Sequence, residues 1–190
     1  MKPTEVLEHE HRVIERVLDC LVAMAGEAEQ NGKLDGTAAE QALDFIRNFA
    51  DGCHHHKEEE LLFPMLEANG LPRDGGPTGV MLHEHDEGRK FVRAMATEID
   101  AASNGDQPSI QAFVNAAKGF VKLLREHIGK EDHVLFPMVG RVLDQDKQTV
   151  LEEAFDDAVR TETAEPSHQQ YLDLADALCE KFGVGGTVRP

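Results

Sequence analysis

The chain repeats itself. LLFPM at 61–65 returns as VLFPM at 134–138, and at the same offset His54 and Glu58 fall on His127 and Glu131. HEH at 9–11 returns as HEH at 83–85, one residue away from that offset. Each half reads as one helix starting near HEH and a second carrying HxxxE and then LFP. Packed together, two such helical hairpins form a pseudo-two-fold bundle.

The apolar pattern agrees. Val and Ile recur at helical spacing and no alternating strand pattern occurs, so the chain reads as all-α. Pro3-Thr4-Glu5 opens a first helix, which breaks at NGKLDG, 31–36. A second helix is expected over 37–68, a turn-rich connection over 69–79, a third helix over 80–102, a break at 103–109 and a fourth helix over 110–143. Short connections make this an up-down-up-down four-helix bundle occupying 1–147. Residues 148–190 form a helical extension packed on it. It comprises an acidic helix over 148–162, a break at Pro166, an amphipathic segment over 167–183 capped by Ser167, and a frayed VGGTVRP end.

Charge argues against several classes of partner. With 36 acidic and 19 basic residues among 190, the formal net charge is −17, unsuited to nucleic acid or to an anionic membrane surface and suited to cations. No apolar run approaches the roughly 20 residues that cross a bilayer, and the charged start MKPTEVLEHEH has no signal-peptide core. Cys20, Cys53 and Cys179 show no disulfide framework and read as reduced thiols of a cytoplasmic protein.

Nine of the ten histidines fall in four clusters, one per bundle helix. On a helix, residues four apart share a face, about 6 Å between Cβ atoms. In the fourth helix Phe113, Ala117, Phe120, Leu124, His127, Glu131, Val134 and Met138 make one stripe, which carries His127 and Glu131 into the core. An unpaired carboxylate is costly there, and a bound cation removes the cost. The second helix offers three registers. The stripe Ala42, Ile46, Phe49, Cys53 points to His56 and Glu60, a neighbouring stripe favours His55 and Glu59, and the repeat selects His54 and Glu58. The repeat is preferred, with a local register shift near Gly52. Imidazole with carboxylate suits iron, manganese or zinc. Two HxxxE units plus further histidines exceed one four-coordinate zinc, and two carboxylates shared by two metals account for them.

Glu10-His11, HHHKEEELLFP, HEH and HIGKEDHVLFP together resemble the hemerythrin-like, or HHE cation-binding, family over roughly residues 5–140. The resemblance implies a four-helix bundle around a non-haem, oxo- or hydroxo-bridged pair of iron ions, with zinc or manganese as substitutes. It implies metal ligation by His11, His54, Glu58, His85, His127 and Glu131, with the two glutamates bridging. Oxygen-carrying members have a histidine four residues before the third-helix ligand, where this chain has Met81. His55 is expected to supply the lost ligand. Such carriers also place the last carboxylate at the position of Asp132, whereas the broader family uses that of Glu131. The expected function is binding of or response to oxygen, nitric oxide or peroxide, or iron handling. Alternatives are an enzyme decomposing peroxide or processing nitric oxide, a metal-dependent regulatory or interaction module, and a zinc-stabilised bundle. A homodimer and an unidentified protein partner stay open.

His9 and His83 lie two residues, about 200°, from His11 and His85, facing water or a neighbouring helix. Glu59 and Asp132 are expected to accept from ligand imidazoles or to stay solvated, and His133 and His168 to lie at the surface. Pro64 and Pro137 are expected to kink their helices and the adjoining phenylalanines to cap the bundle's apolar end. Cys53, beside His54, reads as a buried structural thiol ahead of a redox-sensitive one, and Tyr171 as packing on the bundle or approaching the site.

Overall fold

The computed structural model describes residues 2–161 and 168–185, without the side chains of 159–161. Pro166, Ser167 and residues 186–190 of the tail lie outside the described residues. Among the described residues there are six helices and no strand. Helix α1 is Pro3–Asn31. Helix α2 is continuous over residues 36–68, α3 is Pro77–Ser103, and α4 is continuous over residues 107–142. The extension holds α5, Gln145–Thr161, and α6, His168–Phe182.

Capping explains the boundaries. Glu5 accepts the Lys2 N–H at 3.0 Å, and Pro3 needs no partner for the amide hydrogen it lacks. The helix ends at Gly32, whose φ of 66° is cheap only without a Cβ and lets its N–H reach the Ala28 carbonyl. Asp35 caps α2 by accepting from the Ala38 N–H, and Asp106 caps α4 by accepting from that of Ser109, both at 3.0 Å.

Helix α1 packs on α2 and α4, and α3 also packs on α2 and α4, which closes the four-helix ring. Two apolar clusters fill it. The larger holds Leu18, Leu21, Phe45, Phe49, Phe113 and Phe120; the smaller holds Leu7, Leu62, Phe63, Leu135 and Phe136. Burying each such side chain contributes about 1.5–3 kcal/mol. The extension enters both. Leu151 and Phe155 of α5 join the smaller cluster, and Tyr171, Ala175, Leu178 and Cys179 of α6 join the larger. Along every bundle helix, a polar layer separates the two clusters.

At that layer the helices change winding. Residues Ile46–His55 and Glu58–Leu62 of α2, and Glu131–Leu135 of α4, form π-helical turns with i→i+5 hydrogen bonds. Ten residues at the wider pitch lag the α register by roughly half a turn. Accordingly His54 and Glu58 face inward, and His56 and Glu60, where a straight stripe would point, are exposed. The π turn of α4 likewise rotates Val134 off the stripe to 54 % exposure and buries Leu135. Pro64 and Pro137 lie just after these wide turns, in the first turn of the α-helix that resumes. There the N–H that proline lacks falls where the π turn has already broken the regular i→i−4 pattern.

Candidate metal centre

The seven side chains His11, His54, His55, Glu58, His85, His127 and Glu131 meet in the polar layer. They fall into two adjoining donor groups that share Glu58. His55, Glu58, His85 and His127 make one, and His11, His54, Glu58 and Glu131 the other, with the donor atoms of each within 4.8 Å of one another. All are buried, and His11, Glu58 and Glu131 have no exposed surface.

The glutamates span the two groups. Glu58 sets Oε1 3.6 Å from His54 Nε2 and Oε2 3.4 Å from His85 Nε2. Glu131 sets Oε2 3.1 Å from His11 Nε2 and Oε1 3.3 Å from His127 Nε2. Beyond these facing atoms, all four oxygens and His11 Nε2 lack a hydrogen-bond partner among the described residues. Buried polar atoms seldom go unpartnered. A set of inward Nε2 atoms and unpartnered carboxylate oxygens is what cations of the iron, manganese or zinc type require, so the residues fit the metal that the sequence implies.

Each imidazole is aimed from behind. Nδ1 of His11 meets Asp132 at 2.7 Å, that of His54 Glu10 at 3.0 Å, that of His55 Asp51 at 3.2 Å, that of His85 Glu59 at 2.7 Å and that of His127 Glu84 at 3.0 Å. An ionised carboxylate only accepts, so Nδ1 carries the hydrogen and Nε2 points its lone pair inward. Cations anchor the carboxylates in turn: Arg12 holds Asp132, Lys57 holds Glu10, Lys130 holds Glu84, and Arg89 holds both Asp51 and Glu59. Phe136 stacks on His11 with centroids 5.5 Å apart, and Phe63 on His85 at 6.0 Å, so the LFP phenylalanines cover the site.

Without metal the centre holds its charge with protons. Burial pushes the Glu58 carboxyl well above the usual range, and the nearby charge of Glu131 adds to it. Burial also opposes ionisation of Glu131, but His127 and His11 outweigh it and hold that carboxyl well below. Burial lowers His11 and His127, yet their carboxylate partners prevail and raise them to about 9 and about 10. With less compensation His54 falls to about 3 and His55 to about 4, both driven first by burial. The Nε2 atoms of His85 and His127 approach to 3.0 Å, close enough that a proton or a cation must sit with one of them.

The pseudo-two-fold seen in the repeat extends to the outer layer. His11, Asp132, His54, Glu10 and Lys57 correspond to His85, Glu59, His127, Glu84 and Lys130. The partners Glu10, Asp51 and Glu84 were not foreseen, although Glu10 and Glu84 each precede a ligand-type histidine and Lys57 and Lys130 recur in the repeat. His55 has no counterpart: Ile128 stands at that place in the second half. His9 is partly buried, and His83 and His133 are exposed. Tyr171 packs edge-on against Phe45 in the larger core, away from the donor groups.

The sequence also matches the family profile described as Hemerythrin HHE cation binding domain over residues 2–139. The chain belongs to the hemerythrin HHE cation-binding domain family. Among characterised and uncharacterised relatives, it is 24% identical over 180 residues to the Mycobacterium tuberculosis protein Rv1995, covering 95% of this chain and 70% of that one. It is 32% identical over 124 residues to the iron-sulfur cluster repair protein YtfE of Edwardsiella ictaluri, covering 62% and 55%. With the YtfE of Musicola paradisiaca it shares 36% over 90 residues, covering 46% and 40%. This HHE domain is a metal-binding helical bundle, and none of its described helices is long and apolar enough to cross a membrane.

Proposed function

We propose that this HHE protein holds two iron ions in the centre and reacts there with a small ligand: dioxygen, nitric oxide or peroxide. The arrangement of Glu58 and Glu131 carries the reading. Each turns one oxygen toward either donor group, and none of the four oxygens has another partner. Paired carboxylates spanning two nitrogen-donor sets match the needs of two adjacent cations. Bound iron supplies electron exchange with the small ligand.

The chain's residues do the rest. Asp132, Glu10, Asp51, Glu59 and Glu84 fix the imidazoles, while Phe63 and Phe136 exclude water. Five imidazoles and two carboxylates offer fewer donors than two six-coordinate ions accept, which leaves room for an outside ligand. Met81 is a buried member of the smaller apolar cluster, so the position of a carrier's extra histidine holds a thioether instead. His55 brings the fifth imidazole from another helix, and that altered arrangement favours peroxide or nitric oxide chemistry, or iron-dependent sensing, over reversible oxygen carriage. Likeness to proteins named for iron–sulfur cluster repair supports iron as the metal. Three cysteines without a disulfide suit a reducing, cytoplasmic setting.

The test is metal content per chain by mass spectrometry, with absorption spectra before and after oxygen, nitric oxide and peroxide. About two irons per chain are expected, with a spectrum that answers at least one ligand. Glu58→Ala and Glu131→Ala should each lose at least one iron. Zinc in place of iron, with a spectrum silent to all three ligands, overturns the reading. Steady-state peroxide consumption by the iron-loaded protein separates an enzyme from a sensor.

A further inference from the structure

One cavity reaches the centre from outside. It has a volume of about 190 Å³ and includes His55 and His85 among its lining residues. Those two are buried, whereas Arg47 and Arg93 on the same lining are exposed, so the arginines mark the mouth and the imidazoles the floor. Between them the wall is apolar, with Ile46, Ala50, Val92, Phe120 and Leu124.

The charges at this cavity are unequal. Five charged residues line it: Arg47, Arg89 and Arg93 against Asp51 and Glu84. Asp51 is held by Arg89 and His55, and Glu84 by Lys130 and His127. Arg89 is likewise engaged, by Asp51, Glu59 and Asp86. Asp44, one turn before Arg47, accepts from Asn48. Asp44 keeps its charge, since Asn48 is a neutral amide, but Arg47 and Arg93 have no direct ion-pair partner among the described residues, which leaves both guanidinium groups available at the mouth. The chain's net charge of −17 otherwise disfavours anions.

We infer that this cavity is an inlet that favours small inorganic monoanions, with Arg47 and Arg93 drawing them from solution toward the His55–His85 side of the metal centre. The inference rests on the reading of that centre as a ligand-reactive metal site, and adds a charged class of ligand to the neutral dioxygen, nitric oxide and hydrogen peroxide. Guanidinium groups suit the task because they stay charged and bind planar anions through paired N–H groups. The volume leaves room for a triatomic anion with part of its hydration shell. Gly88 keeps the passage open: it is buried on the lining, and a Cβ there would meet only Phe120 Cε2, at an ordinary 3.6 Å. A methyl group would therefore narrow the cavity without disturbing the packing.

Azide is the probe, with uncharged nitric oxide as the control. In stopped-flow mixing with the iron-loaded protein, Arg47→Gln/Arg93→Gln should slow azide association about tenfold and flatten its salt dependence. Nitric oxide association and iron content should not change. Gly88→Ala should slow both ligands. Equal azide rates in the wild type and the double variant overturn the inference. A metal-free arm keeps it separate from the proposed function: crystals soaked in sodium bromide should show an anomalous peak at the mouth that disappears in the double variant. If the chain holds no iron, the proposed function falls, while the bromide peak still decides whether the mouth attracts anions. Absence of that peak in the wild type also overturns the inference.

Discussion

Lys57 places its ammonium 2.7 Å from Glu10 Oε1, and both side chains are buried. The other oxygen of Glu10 takes the Nδ1–H of His54 at 3.0 Å. The pair thus links a donor imidazole to a fixed positive charge between α1 and α2. Removing one partner of a buried pair costs about 3–5 kcal/mol, because the other is left uncompensated. Glu10→Gln should therefore lower stability by about 3 kcal/mol in urea unfolding. Lys57→Met/Glu10→Gln should lose less than the two single changes predict together.

The same glutamate sets an acid limb. Burial raises the Glu10 carboxyl, but the His54 hydrogen bond and the Lys57 charge outweigh it and hold it at about 2. A folded value below the ordinary 4.5 means that stability is present above 4.5 and is lost as pH falls through about 2. Urea midpoints of the metal-free protein should decline across that window, and less steeply in Glu10→Gln.

Glu58→Gln should separate stability from metal binding. Two buried carboxylates face each other in the centre, and Glu58 is the one forced toward its neutral form. An amide keeps the shape and removes the charge. Stability of the metal-free protein should rise by about 1–3 kcal/mol. Ferrous iron at a hundredfold excess over its dissociation constant should add about 2.7 kcal/mol to the wild type and little to the variant. Thermal unfolding with and without iron checks both.

The Cys20 thiol donates to Cys179 Sγ at 3.6 Å between α1 and α6, and the two form no disulfide. Burial, then the neighbouring thiol, pushes Cys20 up to about 12. A value raised above the ordinary 9.0 contributes stability that is whole below 9.0 and lost as pH rises toward about 12. At pH 8 iodoacetamide should leave Cys20 unmodified in the native protein and label it on unfolding. Mass spectrometry of the labelled peptides reads the result.

Leu178 of α6 is 1 % exposed in the larger core, and Asp176 meets Arg16 of α1 at 2.6 Å. Leu178→Ala should cost about 2–5 kcal/mol, as much as a substitution inside the four-helix bundle. A much smaller loss in chemical denaturation would show α6 to be an appendage.

The duplicated HxxxE-LFP units made the four helices and their pairing legible, and the helices begin and end within a few residues of the expected places. They also pointed to Glu58 and Glu131 over Glu60 and Asp132. Helix periodicity taken straight would have chosen His56 and Glu60, which are exposed, and would have buried Val134. The difference is the π winding, a wider hydrogen-bond pattern that a hydrophobicity stripe of period 3.6 does not encode.

From the order of its residues alone, this chain specifies an all-α bundle and the histidine and glutamate positions on each helix, because both follow from spacing along one strand of backbone. Only the tertiary structure decides which carboxylate stands behind each imidazole, which oxygens are left without partners, and that Arg47 and Arg93 share a cavity with His55 and His85. Those relations join residues on different helices. They depend on how the helices are rotated against one another, and that is set when the two apolar clusters close around the polar layer.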